Sequence, residues 1–126
     1  MRSLVVSIAI GIIMVAGSIF YTQHLENLSE QMLEINESIG RSIHENNFES
    51  ASIKTEELHE LMDGKRMVME ATGNHEELDE IEMNLFELES YIDAKNSADA
   101  AAKCNVLEFL IEHLPKNFKL KIENIL

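Results

Sequence analysis

The residues best suited to chemistry in this sequence are two histidines with carboxylates close by. His75 and Asp79 stand one helical turn apart, and Glu112 and His113 are adjacent near the end of a later apolar stripe. If the two predicted helices form an antiparallel hairpin, the start of one lies beside the end of the other. Imidazole and carboxylate groups on neighbouring helices suit zinc, and histidine can report pH near neutrality. His75, Asp79 and His113 are therefore a candidate metal or proton-sensing site.

An ordinary structural role accounts for the same residues without a ligand. Helix ends are usually polar, and a histidine near a helix C-terminus, such as His113, interacts favourably with the helix dipole. Neither His75 nor His113 lies in a Glu-x-x-His pattern of the kind that binds metals in helical bundles. We therefore expect no cofactor and keep the metal or pH sensor as the alternative function.

The single cysteine, Cys104, offers no catalytic arrangement. It falls on the apolar stripe of a predicted helix with no histidine within one turn, whereas a catalytic thiol needs a base in reach. The five glycines do not form a phosphate-binding loop. A lone cysteine also forms no intramolecular disulfide, so packing must hold the fold together. We predict that the protein is not an enzyme.

An apolar run near the N-terminus predicts attachment to a membrane. Residues 4–21 carry no charged side chain, and a helix of this length spans about 27 Å, enough to cross the hydrocarbon layer. A signal peptidase would cleave near the small residues 16–18, but the apolar run continues to Tyr21, which favours an uncleaved signal anchor. We assign residues 1–24 to this transmembrane anchor and residues 25–126 to a single further domain.

The charges predict orientation and exclude one class of partner. Arg2 precedes the apolar run, and the next basic residue is Arg41, so the positive-inside rule places the N-terminus in the cytoplasm. Residues 22–126 hold nine basic and 23 acidic side chains, a formal charge of −14 that excludes nucleic-acid binding. We expect a single-pass protein of the cell membrane with an acidic extracytoplasmic domain.

The periodicity of that domain predicts an all-α fold. Apolar residues recur at spacings of three and four in four stretches, as on the buried faces of amphipathic helices. The predicted core consists of Leu25, Leu28, Met32, Ile35, Ile39 and Ile43 in the first helix, Phe48, Ala51, Thr55, Leu58 and Met62 in the second, Leu78, Ile81, Leu85, Leu88 and Ile92 in the third, and Ala100, Cys104, Leu107, Ile111 and Leu114 in the fourth.

Helix boundaries are predicted from Gly, Pro and Asn. No Pro or Gly separates the anchor from the first stripe, so one helix is expected to continue through both. Gly64 is expected to interrupt or bend the second helix, and Pro115 to end the fourth. The other boundaries are predicted at Asn46 or Asn47 with Glu49 in a capping box, at Gly73 as a left-handed cap, at Asn74 with Glu77 in a second capping box, and at Asn96 or Ser97.

Two halves of the domain look alike at an offset of 49 residues. Asn47 falls on Asn96, Ala51 on Ala100, and several apolar positions coincide. This predicts two αα-hairpins in tandem, which together form an antiparallel four-helix bundle. Any two amphipathic hairpins align at helical spacing, however, so the similarity is also expected without a true repeat.

The end of the chain, residues 116–126, differs in composition. It contains three lysines, one glutamate and five large apolar residues. One interpretation is a short segment that closes one end of the bundle. The other is a docking strip for a membrane partner or for lipid headgroups.

Three stretches resemble a known family. HEELDEIEMNL at residues 75–85, FLIEHLP at 109–115 and LKIENIL at 120–126, with the N-terminal anchor, are similar to domain-of-unknown-function family 4363, a family of small bacterial membrane proteins. The aromatic Phe48 also matches the start of the family's second helix. The resemblance implies a membrane-anchored helical protein with no assigned reaction and no catalytic residues. We therefore expect an interaction or accessory module for a membrane or envelope protein.

Overall fold

The structure, a computed structural model, describes the backbone of residues 1–71 and 75–125 and the side chains of residues 1–70 and 75–116. Four α-helices make up nearly all of this part of the chain: α1 (Arg2–His44), α2 (Phe48–Ala71), α3 (His75–Asp93) and α4 (Ser97–Ile125). No strand occurs within the described residues. The predicted all-α fold with four helices is confirmed.

Helix α1 is continuous over 43 residues, about 64 Å, as the absence of a break after the apolar run predicts. It is the one helix of the described residues that is long and apolar enough to cross a membrane. Its most apolar window of 18 residues has a mean hydropathy of 2.4 and no buried residue. From Leu25 onward, the same helix contributes to the core.

The core agrees closely with the predicted stripes. All predicted core residues of α3 and α4 are buried, and only Ile35 of α1 and Phe48 of α2 are partly exposed. Met69 extends the buried side of α2 by a further two turns beyond Met62. Ser29, Asn36, Ser42 and Thr55 are buried polar residues, of which only Thr55 was expected.

The helices pack as a helical bundle in which each helix contacts two others. Helix α1 packs against α2 and α4, and α3 packs against the same two helices. Ser29 and Asn36 on α1 contact Ile111 and Cys104 on α4, so residue numbers rise along α1 as they fall along α4.

The turns α1–α2 and α3–α4 have the same hydrogen bonds at the offset of 49 residues. The N–H of Asn47 donates to the carbonyl of Ser42 at 2.8 Å, and that of Asn96 donates to Tyr91 at 2.9 Å. Each turn is a Schellman motif with a left-handed residue, Asn46 or Lys95, at a φ of 56°. The predicted similarity of the two halves therefore extends to the backbone of both turns.

The asparagine that follows each left-handed residue begins the next helix. The Oδ1 atom of Asn47 accepts from the N–H of Ser50 at 3.1 Å, and that of Asn96 accepts from Asp99 at 3.2 Å. Of the two predicted starts, Asn47 is therefore the N-cap of α2, and Asn46 does not form the predicted capping box with Glu49, because Asn46 itself adopts the left-handed conformation that ends α1.

The prediction that Pro115 ends the fourth helix is wrong, because α4 continues to Ile125. A proline inside a helix removes the N–H that would bond to the carbonyl four residues earlier, here that of Ile111. The hydroxyl of Ser29 on α1 donates to this same carbonyl at 2.9 Å. A side chain from another helix thus replaces the missing donor.

The interruption expected at Gly64 is also wrong, since α2 is continuous from Phe48 to Ala71. A glycine in a helix costs about 1 kcal/mol relative to alanine but keeps its backbone hydrogen bonds. The caps predicted at Gly73 and Asn74 lie outside the described residues, as do the side chains of residues 117–126. The two interpretations of the chain end therefore stay predictions.

Candidate functional site

His75, the first residue of the predicted site, lies at the start of α3 between two carboxylates. Its Nδ1 atom is 3.5 Å from Oε1 of Glu70 on α2, and its Nε2 atom is 3.4 Å from Oδ2 of Asp79. The ring is largely exposed, with 64% of its side-chain surface accessible. The structure therefore brings His75 and Asp79 together and adds Glu70, which the sequence analysis did not include.

Arg66 organises the carboxylates around this histidine. Its Nη1 atom donates to Oε1 of Glu70 at 2.9 Å and lies 3.5 Å from Oδ1 of Asp79, and its Nη2 atom bonds to Glu82. The hydrogen bond to Glu70 is the main cause that raises the pKa of Arg66 above its usual value. Glu70 and Asp79 therefore already have a cationic partner, the guanidinium group of Arg66.

His113 has different neighbours from those of His75. Its Nδ1 atom lies 2.8 Å from the carbonyl oxygen of Phe109, one turn earlier in α4, and the two rings are 4.1 Å apart between centroids. Glu112 beside it is exposed. These contacts fix the histidine ring against its own helix.

The contacts of His75 do not converge on a single point. Nδ1 and Nε2 flank the ring carbon Cε1 and point in diverging directions, so Glu70 and Asp79 approach the histidine from two directions. Within the described side chains, no three His, Cys, Asp or Glu residues are placed to hold one metal ion. The zinc site at His75, Asp79 and His113 stays a prediction.

Cys104 is buried in α4, with 6% of its surface exposed. Burial raises the pKa of the thiol to about 11, so the neutral form predominates at physiological pH. Because the thiolate is the nucleophilic form, the environment of Cys104 lowers its reactivity.

The contact between α1 and α4 contains two polar residues that the sequence analysis missed. Ser29 donates to Ile111, and the Nδ2 atom of Asn36 donates to the carbonyl of Cys104 at 2.9 Å. The signal was present, since both residues fall on the heptad positions of the α1 stripe: Leu25, Ser29, Met32, Asn36, Ile39 and Ile43. A search for apolar residues alone passes over them.

Two phenylalanines outside the apolar run are exposed, each beside a histidine. Phe86 on α3 and Phe109 on α4 expose 55% and 59% of their surfaces. The ring of Phe86 lies 5.1 Å from that of His59, whose Nε2 atom is 2.9 Å from Oε1 of Glu89, without the alignment of a hydrogen bond. The sequence indicated their exposure, because neither phenylalanine falls on the predicted buried stripe of its helix.

The fold and these contacts define a class, that of all-α helical-bundle proteins with one candidate membrane-spanning helix. Residues 19–125 match the family described as Domain of unknown function (DUF4363), and the chain belongs to this family. No curated protein and no solved structure matches the chain. The resemblance of the three sequence stretches is thereby confirmed, and the match begins inside the apolar run.

Proposed function

We propose that this protein is a non-catalytic interaction module that is anchored in the cell membrane by α1 and binds a membrane or envelope protein through its acidic helical domain. In this proposal the N-terminus is cytoplasmic and the domain extracytoplasmic. The four helices run antiparallel as two αα-hairpins. The opposed numbering along α1 and α4 and the matched turns support this arrangement.

The exposure of Phe86 and Phe109 is the observation on which the interaction rests. The domain is strongly acidic and has an apolar core that is complete without these two side chains. Large aromatic side chains contribute most of their binding energy when a partner removes them from water. Exposed aromatic residues on a predominantly acidic surface are therefore suitable anchors for a partner.

Site-specific photo-crosslinking in the intact full-length protein tests this function. Benzoylphenylalanine at position 86 or 109 is expected to give an adduct of one discrete mass in the native membrane. Glu87 and Glu108 serve as matched control positions, since each neighbours a phenylalanine but is turned by about 100° around the helix. Absence of a discrete adduct at both aromatic positions, or equal adducts at the controls, would contradict the proposal.

The alternative function, a metal or pH sensor, is favoured by the position of His75 between Glu70 and Asp79. A sensor of zinc should gain thermal stability on adding zinc, in proportion to RT ln(1 + [L]/Kd). The gain should disappear in the His75→Ala, His113→Ala double variant. We expect no such gain, because the carboxylates around His75 are already paired with Arg66.

A further inference from the structure

The two halves of the bundle differ in the partners of one lysine. Lys54 on α2 and Lys103 on α4 are equivalent at the offset of 49 residues. The Nζ atom of Lys103 forms an ion pair with Glu87 at 2.6 Å and donates to Oδ1 of Asn84 at 3.1 Å. In the half formed by α3 and α4, the charge of the lysine is therefore neutralised within the chain.

Lys54 has no such partner. The positions of α1 that are equivalent to the partners of Lys103 hold Ile35 and Ser38, which carry no charge. The Nζ atom of Lys54 donates to the hydroxyl of Ser42 at 3.2 Å, and no carboxylate lies within 4 Å of it among the described side chains. An ammonium group has three donors, so this half-buried group can still bind another acceptor.

Lys54 lines a cleft between α1 and α2. This α1–α2 cleft has a volume of about 660 Å³, which lies within the range of small-molecule sites. Ile35 and Leu61 supply its apolar lining, and both are half-buried against the core. The cleft therefore combines an apolar surface with a lysine that lacks an acidic partner.

The charges of the α1–α2 cleft are divided between its two ends. Arg41 and Lys54 line it near the turn between the helices, whereas Glu34 and Glu60 lie six or seven residues farther along their helices, about 10 Å away. Glu57 lies between the two groups, one turn from Lys54. None of these five residues has an ion-pair partner among the described side chains.

This division of charge favours a ligand that carries both charges. An anion alone would be repelled by the glutamates of the cleft, and a cation alone by the arginine and the lysine. A zwitterion can place its carboxylate and its ammonium group against opposite charges, and charge-assisted hydrogen bonds are stronger than neutral ones. An apolar side chain on the same ligand would cover the apolar lining and exclude water from it.

We propose that the α1–α2 cleft binds a free α-amino acid with a branched aliphatic side chain. Lys54 and Arg41 bind its carboxylate, Glu57 binds its ammonium group, and the side chain packs on Ile35 and Leu61. This function goes beyond the interaction with a protein partner and does not depend on it.

Calorimetric titration of the full-length protein in detergent micelles with L-leucine, L-isoleucine and L-valine tests the site. We expect saturable binding with one ligand per chain. 4-Methylpentanoate, which lacks the ammonium group, and leucinamide, which lacks the carboxylate, should each bind at least about tenfold more weakly than leucine, because each leaves charges of the cleft unpaired. No saturable binding of any of the three amino acids, or equal binding of leucine and leucinamide, would overturn the proposal.

A substitution copied from the other half of the bundle should close the site. Ser38→Glu gives Lys54 the same intramolecular partner that Glu87 gives to Lys103, so amino-acid binding should be lost while the melting temperature does not fall. Ser52→Glu is the matched control, since it adds the same charge two residues from Lys54 but about 200° around the helix. Unchanged affinity in Ser38→Glu, or equal losses in both variants, would contradict the proposal.

The two equivalent lysines provide a second comparison. Lys54→Gln should weaken the binding of the amino acid about tenfold, because it removes a charge-assisted hydrogen bond to the carboxylate. Lys103→Gln removes the same charge from the other half and should leave the affinity unchanged. Equal affinities of Lys54→Gln and the unaltered protein would refute the role of Lys54, and equal losses in both variants would indicate a general effect of charge instead of a site.

Discussion

At the scale of single residues, a polar side chain in the core allows α4 to continue past Pro115. Ser29 is 4% exposed and directs its hydroxyl at the one carbonyl that Pro115 deprives of its helical donor. An unpaired buried carbonyl costs about 1–3 kcal/mol, a substantial fraction of the roughly 5–15 kcal/mol by which a domain is stable. The continuity of α4 past Pro115 therefore depends on a residue 86 positions earlier in the chain.

Removal of the Ser29 hydroxyl should destabilise the domain in a way that a second substitution repairs. Ser29→Ala is expected to lower the free energy of unfolding by about 1–3 kcal/mol, because Ile111 loses its donor. Pro115→Ala restores a backbone N–H for that carbonyl, so the double variant should regain most of the loss. Chemical denaturation of the four proteins measures the cycle. Additive effects of the two substitutions would contradict this role of Ser29.

The buried thiol of Cys104 should make stability depend on pH in the alkaline range. Because burial raises its pKa from 9.0 to about 11, the folded state favours the neutral thiol, and that contribution is complete below pH 9. It should be lost as the pH rises from about 9 to 11, where the unfolded thiol ionises more readily. Thermal melts across this range should decline less for Cys104→Ala than for the unaltered protein.

At the scale of elements, the two Schellman turns connect α1 to α2 and α3 to α4. Each places a residue with a side chain in the left-handed conformation, Asn46 in one turn and Lys95 in the other. Asparagine tolerates this conformation better than lysine does, and glycine adopts it without steric cost. The two turns therefore differ in strain although their hydrogen bonds match.

Replacing the left-handed residues by glycine should reveal this difference. Lys95→Gly is expected to stabilise the domain by about 1 kcal/mol, since the left-handed conformation costs most residues about 1–2 kcal/mol. Asn46→Gly should have a smaller effect in the same direction. Differential scanning calorimetry measures both, and a lower melting temperature for Lys95→Gly would contradict the assignment.

The features that could be predicted from the sequence are those that depend on residues close to one another in the chain. The stripe of α3, from Leu78 to Ile92, depends only on helical periodicity, and all five residues are buried. The continuation of α4 past Pro115 could not be predicted locally, because the donor that replaces the missing N–H of Pro115 is Ser29 on another helix. His75 and Asp79 lie close together because they are one turn apart in the same helix, a spacing that the sequence shows directly. The roles of Glu70 and Arg66 depend on the packing of α2 on α3, which no local pattern specifies.

At the scale of the whole molecule, charge and hydropathy divide the chain into two unlike parts. The apolar part of α1 is unburied, whereas the remaining residues build a core beneath an acidic surface. Anchoring in a membrane would remove the unburied apolar surface from water, which is the strongest favourable term available to it. The acidic domain would then remain in water beside the membrane.

A topology experiment addresses this arrangement. An alkaline phosphatase reporter, active only outside the cytoplasm, should be active when fused after Leu126, because the positive-inside rule keeps Arg2 in the cytoplasm. The protein should stay in the membrane fraction at its full mass. A shortened form in the soluble fraction would instead indicate cleavage near residues 16–18, and an inactive reporter would reverse the orientation.

The unbroken α1 has a mechanical consequence. A helix without a hinge behaves as a stiff rod, so a tilt or rotation imposed on its apolar N-terminal part would be passed on to the turn at Asn46, about 35 Å beyond the apolar run. Bilayers of different thickness tilt their spanning helices by different amounts. The height and lean of the distal turn above the membrane would therefore register the thickness of the bilayer below.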